Sequence, residues 1–211
     1  IYRREEAGFS AENWALLGEL GLIGALYPEV DGGLGLNATG VATLFEALGR
    51  GLVVEPLAES SMLAGGLFAA LSPIELKREW MAGLVSGTKR LVLAHREAKA
   101  RGSRDWVETA ATDTGDGYRL TGQKSVILAA VGADAFIVSA QTRPNGSFEG
   151  GMKFFLVRAG TQCLQVKPWR LLDGSAALRM ALGSYMPPTM PGGKRWSAAG
   201  LAAVWAQENT R

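Results

Sequence analysis

The sequence predicts an α+β fold, in which an N-terminal α-helical domain is followed by an antiparallel β-barrel or sandwich. Apolar residues recur at helical spacing over residues 1–89. After Arg90, short runs rich in β-branched and aromatic residues alternate with turn residues. The charge also changes there, from 6 basic and 11 acidic residues in 1–89 to 13 and 8 in 90–182. A polyanionic ligand and an ordinary solvated surface both explain a positive β region.

Four helices are predicted in the first 89 residues, and each has its own boundary residues. The N-caps are Ser10 for the first helix and Asn37 or Thr39 for the second. The third helix covers about 57–71, and the fourth follows the capping box Ser72-Pro73-Ile74-Glu75. Glycines end three of the helices, at Gly21, at Gly49 to Gly51 and at Gly83 to Gly87.

Six strands are predicted after residue 90. They cover 91–95, 107–112, 118–121, 124–130, 135–140 and 153–157. Asp116-Gly117 lies between two of these runs and is typical of a hairpin turn. Short strands at such regular spacing favour an antiparallel barrel or sandwich.

The composition excludes several classes of protein. A net charge of +2 gives no reason to expect a nucleic-acid partner. The longest apolar run, residues 62–71, is too short to span a membrane. The single Cys163 allows no internal disulfide, which predicts a cytoplasmic location. One His and one Cys cannot form a zinc site of the His/Cys kind, and no metal is predicted.

The common catalytic motifs are not matched. Residues 117–125 approach a P-loop, but Lys124 lies one position too far along and the segment belongs to a predicted hairpin. His95 ends an apolar run, which favours a hydrogen-bonded histidine at a strand end over a catalytic one. Glu97 and Asp105 lie on a predicted loop, where surface ion pairs are the simplest interpretation. The residues by themselves therefore predict no catalytic group.

The order of several segments resembles the acyl-CoA dehydrogenases. They are Trp14–Gly24, Tyr27–Gly35, Glu46–Gly49, Leu93–Glu97, Thr109–Ala111, Asp116–Lys124 and Ala133–Ala140. The segment Glu97–Thr109 resembles most the branch that contains the small subunits of pimeloyl-CoA-type dehydrogenases. The resemblance covers about residues 12–182.

The resemblance implies a helical domain at 1–89 and a β domain at 90–182. In the family, a C-terminal four-helix domain follows and carries the catalytic Glu. Residues 183–211 do not match that pattern and are expected to be a tail. A truncated or frame-shifted product is therefore expected, and no residue of this chain is assigned as catalytic.

Seven residues fall at flavin or substrate positions of the family. The cofactor-binding positions are Leu93, His95, Arg96, Gly102, Val126 and Leu128, and the substrate-binding position is Ser103. Leu128 stands where the family has Thr, so a hydrogen bond near the flavin N5 has to come from the backbone. For Val126 and Leu128, an ordinary place in the β core explains the residue equally well.

The resemblance also implies an activity. FAD takes a hydride from an acyl-CoA substrate, electrons pass to electron-transfer flavoprotein, and the protein forms homo- or hetero-oligomers in fatty acid metabolism. One interpretation is an acyl-CoA dehydrogenase-like flavoprotein that is inactive alone. The alternative is a non-catalytic acyl-CoA- and FAD-binding subunit of a heteromeric dehydrogenase. A third keeps the fold but uses oxidase or flavin monooxygenase chemistry.

Overall fold

The computed structural model describes residues 5–114, 117–142, 151–161 and 164–185. Helices occupy the N-terminal region and a sheet follows, which confirms the predicted α+β class. The predicted features at Asp116, at Cys163 and in the tail after residue 185 lie outside the described residues. None of the described helices combines the length and the apolar content needed to cross a bilayer.

Four α-helices and one π-helix form most of the N-terminal region. They are α1 (Ala11–Glu19), α2 (Ala38–Arg50), the π-helix Leu57–Gly65, α3 (Gly66–Leu71) and α4 (Ile74–Ser86), with 3₁₀ turns at Gly24–Leu26, Glu29–Asp31 and, later, Ala98–Ala100. The third predicted helix is thus π-helical in its first part and α-helical after Gly65. Buried Leu57 and Ala64 anchor the π-helical part in the core.

The predicted N-caps of the first two helices are confirmed. The Ser10 side chain accepts a hydrogen bond from the backbone N–H of Asn13. The Asn37 side chain does the same for Gly40. Each cap satisfies one of the backbone donors that the first helical turn leaves unpaired.

The predicted capping box is wrong. Helix α4 begins at Ile74, after Pro73, which is extended and has no side chain able to accept a hydrogen bond. The helix is therefore started by the fixed φ of proline and not by Ser72. At its other end, Gly87 has φ of +78°, a conformation that favours glycine.

Helices α1 and α4 approach each other to backbone contact. Trp14 and Leu17 of α1 and Trp80 of α4 are buried. The indole Nε1 of Trp14 donates a 2.8 Å hydrogen bond to the carbonyl of Gly87. A Cβ atom on Gly18 would clash with the carbonyl oxygen of Ser86, so only glycine fits there.

The loop between α1 and α2 is ordered by burial and by an ion pair. Tyr27 is 2% exposed, and this burial raises the pKa of its hydroxyl to about 12, against the lowering effect of a hydrogen bond from Ser61. Lys77 of α4 binds both carboxylate oxygens of Asp31 at 3.0 Å. In contrast, no residue of α2 is buried.

The described residues contain a seven-stranded sheet. Its strands are β1 (Leu91–Ala94), β2 (Ala110–Asp113), β3 (Tyr118–Leu128), β4 (Ala135–Gln141), β5 (Met152–Arg158), β6 (Leu164–Arg170) and β7 (Ala176–Tyr185). The order is β1-β4-β2-β3-β7-β6, and β5 also pairs with β4. The core of this region includes Leu120, Ile127 and Val138, none more than 1% exposed.

The sheet differs from the prediction in three ways. The pairs β2–β3 and β4–β5 are antiparallel as predicted, but β2 meets β4 in a parallel contact at Ala110 and Gln141, so the sheet is mixed. The two runs predicted at 118–121 and 124–130 form the single strand β3. Strand β7 extends into the segment that was predicted as a tail.

The chain divides into two compact units. One comprises residues up to Val92 with segments 128–134 and 170–177, and the other comprises 93–127, 135–169 and 178 onward. In the first unit, the buried Arg90 guanidinium donates to the carbonyls of Ala129 and Val131. Burial lowers the pKa of Arg90 to about 10, while Asp134 acts to raise it. The predicted domain limits at residues 89 and 182 remain a prediction.

Candidate functional site

Six of the seven predicted site residues lie in the second unit. Leu93 is in β1, His95 and Arg96 follow that strand directly, Gly102 and Ser103 are on an exposed loop, and Val126 is near the end of β3. Leu128, the last residue of β3, belongs to the first unit. Val126 and Leu128 are both half-buried and lie outside the fully buried core.

Hydrogen bonds place the segment after β1 beside β3. The backbone N–H of Ser125 donates to the carbonyl of Arg96 at 2.7 Å. The Lys124 ammonium donates to the carbonyl of His95 at 3.3 Å. Arg96 therefore lies next to Ser125, the residue before Val126, although Arg96 and Ser125 are 29 positions apart in sequence.

A buried ion pair lies beneath this contact. Lys124 is fully buried and its Nζ is 2.6 Å from Oε1 of Glu97, whose side chain is 5% exposed. Glu97 also accepts hydrogen bonds from the backbone N–H groups of Glu108 and Thr109 and from the Thr109 hydroxyl. The prediction of a surface ion pair for Glu97 is wrong, because its side chain is buried and its carboxylate is paired with the buried Lys124.

Each charge of the pair changes the pKa of the other. Burial lowers the pKa of Lys124 to about 8, and the Glu97 carboxylate limits this effect. Burial alone would raise the pKa of Glu97, but the charge of Lys124 and the hydrogen bonds from Lys124, the Thr109 hydroxyl and the Glu108 backbone N–H together lower it. At neutral pH the lysine is therefore a cation and the glutamate an anion, inside the protein.

His95 is hydrogen-bonded through both ring nitrogens. Nε2 lies 2.6 Å from the carbonyl of Arg104, and Nδ1 lies 2.9 Å from the hydroxyl of Ser139 on β4. The Ser139 hydroxyl also accepts from Lys124 at 3.0 Å. The interpretation of His95 as a hydrogen-bonded histidine at a strand end is confirmed, and its contact with Arg104 brings the Gly102–Ser103 loop to this region.

The backbone of β3 is irregular at Val126. Its φ of +51° is uncommon for any residue other than glycine and is strained for a β-branched one. Before Val126 the buried side chains stand at even-numbered positions, Leu120 and Lys124. After it, the buried side chain is that of Ile127, at an odd-numbered position. This change of alternation is typical of a bulge, which redirects the end of a strand.

The loop after β1 carries an excess of positive charge. Arg96, Arg101 and Arg104 are exposed, and none of them forms an ion pair in the part of the chain that the structure describes. Glu97 is paired with Lys124 and Glu108 with Lys99, and Asp105 is the third carboxylate of this loop. Arginine side chains bind phosphate oxygens in a planar, two-pronged geometry. The loop can therefore hold a phosphate-bearing ligand.

The residues of the second unit fit a flavin nucleotide in part. The three arginines suit its anionic pyrophosphate, and half-buried Leu93 and Val126 suit a flat apolar ring. Gly102, at φ of +91°, has open space where a Cβ would stand. Among the described residues, no cluster of three or more potential His, Cys, Asp or Glu metal ligands is present.

Sequence reasoning missed four members of the buried network. They are Glu97 as a buried residue, Thr109, Lys124 and Ser139. A signal for Lys124 existed, because it falls on the same face of its strand as buried Leu120 by the two-residue period. The contact with Ser139 could not be predicted, because it depends on the pairing of distant strands.

Comparison with known proteins relates the chain to one family. Residues 1–88 match the acyl-CoA dehydrogenase N-terminal domain. The chain is 34% identical over 155 residues to acyl-CoA dehydrogenase FadE27 of Mycobacterium tuberculosis. This alignment covers 74% of this chain and 39% of that protein. The chain thus spans about two fifths of the length of that curated relative.

Solved structures show the same relation. The fold superposes with a TM-score of 0.79 on the ChsE4–ChsE5 complex from Mycobacterium tuberculosis, at 29% identity over 97% of this chain and 52% of that chain. It superposes with a TM-score of 0.74 on the FAD complex of PigA, at 28% identity over 85% of this chain and 49% of that chain. The similarity extends over both the helical and the β regions.

Proposed function

Because the chain is related to the acyl-CoA dehydrogenases and has the N-terminal domain of that family in residues 1–88, we propose that it takes part in the α,β-dehydrogenation of an acyl-CoA thioester. The proposal includes FAD as the hydride acceptor. It is supported by the similarity to an FAD complex over most of the chain. Electron-transfer flavoprotein is the electron acceptor that the family relation favours.

The structural observation that carries the proposal is the contact between Arg96 and Ser125. This bond joins the segment after β1 to the end of β3. By resemblance, these two segments both belong to the flavin site. Their close approach is what a single ligand that touches both would require.

Each part of this region has a proposed role. When bound, FAD supplies the acceptor for the β-hydrogen as hydride. The exposed Arg96, Arg101 and Arg104 bind the phosphates, and Leu93 and Val126 exclude water from the ring. Ser103 faces the thioester substrate. No residue that the structure describes is assigned as the general base.

Titration with FAD tests the cofactor. We expect FAD to bind to the chain, measured by the change in flavin fluorescence. R96Q should raise the Kd about tenfold, because one charge-assisted contact is worth about 1.4 kcal/mol. R119Q changes another exposed arginine, which lies on β3. It is the matched control and should leave the Kd unchanged. Failure of the wild-type chain to bind FAD would overturn the proposal.

The second candidate function is a subunit of a heteromeric dehydrogenase. It is favoured by the similarity to one chain of the ChsE4–ChsE5 complex. In this case a saturated acyl-CoA should bleach the visible flavin band only after a partner with the general base has been added. Bleaching by the chain alone would contradict the subunit role and would locate the base within the chain.

A further inference from the structure

A chain of side-chain hydrogen bonds leads from the interior of the second unit to its surface. Lys124 Nζ lies 3.0 Å from Ser139 Oγ, and Ser139 Oγ lies 2.9 Å from His95 Nδ1. The other ring nitrogen, Nε2, lies 2.6 Å from the carbonyl oxygen of Arg104. Lys124 and Ser139 are fully buried, whereas Arg104 is exposed.

The two end groups, together with the charge state of His95, fix the direction of every bond. The Arg104 carbonyl can only accept, so His95 Nε2 carries the proton. The Lys124 ammonium can only donate, so Ser139 accepts from it. Burial lowers the pKa of His95 below its usual 6.5, so the ring is uncharged at neutral pH and its unprotonated Nδ1 accepts the Ser139 hydroxyl proton. His95 is therefore a neutral imidazole with one defined tautomer.

We propose that His95 is a positioning residue that holds the loop Gly102–Asp105 against the buried Lys124–Glu97 ion pair. The other hydrogen bonds that the described residues give to this loop are local, from Ser103 to Ala100 and from Asp105 to Ser103. The His95–Arg104 bond thus joins the loop to the rigid sheet. The inference rests on the proposed function only in that the loop is assigned to the flavin and substrate.

The surroundings of the His95 ring make its hydrogen bond to Arg104 sensitive to acid. Three charged groups face His95: Lys124 from β3, Glu97 from its own segment and Asp105 from the loop. Burial lowers the pKa of His95 below its usual 6.5, and Lys124 acts in the same direction, whereas the bond to the Arg104 carbonyl and the two carboxylates act to raise it. When His95 is protonated, Nδ1 can no longer accept from Ser139. The Ser139 hydroxyl must then turn away from Nδ1 and accept from both the imidazolium and the Lys124 ammonium, which weakens the contact that orients the ring.

The first experiment uses the fact that His95 is the single histidine of the chain. Nitrogen-15 NMR of the full 211-residue chain reports its tautomer without ambiguity. We expect the proton on Nε2 at neutral pH and a titration midpoint below 6.5. A proton on Nδ1, a mixture of both tautomers or a midpoint at or above 6.5 would overturn the inference.

The second experiment measures amide hydrogen exchange in the loop. In H95L, the Ser103 amide should exchange at least about tenfold faster, because local opening of the loop costs less. H95Q, which keeps a side-chain N–H donor, should restore part of the protection. The amide of Val138 in β4 should be unchanged. Unchanged exchange at Ser103 in H95L would overturn the inference, and the NMR result on the wild type decides the matter if H95L does not fold.

Y118F is the matched control for these variants. It removes the hydroxyl that accepts a 2.7 Å hydrogen bond from Lys153 in the same unit, distant in sequence from the loop. It should leave exchange at Ser103 as in the wild type. A chain that meets the NMR and exchange expectations but does not bind FAD would support the positioning role and contradict the proposed function, so the two can be separated.

Discussion

Replacement of Lys124 is expected to destabilise the second unit strongly. Its ammonium is fully buried and is the cation that compensates Glu97. K124M should lower the free energy of unfolding by about 3–5 kcal/mol, because an uncompensated carboxylate then stays in the interior. Urea denaturation measures this loss.

The reference for this variant is an exposed ion pair. Arg50 and Glu46 are 2.7 Å apart, with side chains 79% and 65% exposed. R50Q should change the free energy of unfolding by no more than about 0.5 kcal/mol. The double variant E97Q/K124M should be more stable than K124M alone. A loss in K124M no larger than that in R50Q would contradict the expected effect.

His95 predicts how stability depends on pH. Its pKa in the folded protein is below 6.5, mainly because of burial. Between the folded pKa and 6.5, the unfolded chain binds a proton that the folded protein does not bind. The free energy of unfolding therefore falls as the pH falls through this window, by at most about 1.4 kcal/mol per pH unit. In urea unfolding from about pH 7 to about pH 5, H95L should show a shallower decline, and an equal slope would contradict the assignment.

At the level of helices, the approach of α1 to α4 can be tested with glycine. Gly18 faces the Ser86 carbonyl with no room for a Cβ, whereas Gly49 in α2 has no atom within 4 Å of that position. G18A should destabilise the protein by about 1–3 kcal/mol through overpacking. G49A should stabilise it by about 0.5–1 kcal/mol, because alanine favours the helix. Thermal or urea unfolding of the two variants gives the comparison, and equal effects would contradict the close contact.

The bulge in β3 gives a second prediction for an element. Glycine normally weakens a strand, so V166G on exposed β6 should cost about 1 kcal/mol. V126G should be neutral or stabilising, because it relieves the strain of a valine at φ of +51°. The free energies of unfolding of both variants, from urea denaturation, test this difference. A loss in V126G as large as in V166G would show that Val126 is not strained.

Across the whole molecule, two of the three predicted helix starts were confirmed, whereas the contacts between distant segments were not predicted. The caps at Ser10 and Asn37 depend on residues three positions away, and both were predicted. The runs predicted on either side of Gly122 form one strand. A Cβ on Gly122 would lie 2.7 Å from Thr109, so the glycine permits close packing between β2 and β3.

The candidate site shows the same limit. Resemblance placed residues on the strands and loops of the site, but it did not reveal the network beneath them. Lys124 and Glu97 are 27 residues apart, and His95 and Ser139 are 44 apart. Neither pair follows from local periodicity, because strand pairing decides which side chains meet.

Helix α2 and the segments on either side of it expose apolar side chains. No residue of α2 is buried, and Leu34 and Leu52 on either side of this helix in sequence are 62% and 83% exposed. Exposed apolar surface of this kind promotes association. We expect the 211-residue chain to associate as its concentration rises and to bind the dye ANS. L34S/L52S should reduce the dye fluorescence at least about twofold, whereas L172S, at another fully exposed leucine, should not. Light scattering that shows a monomer at all concentrations, with no dye binding, would contradict this expectation.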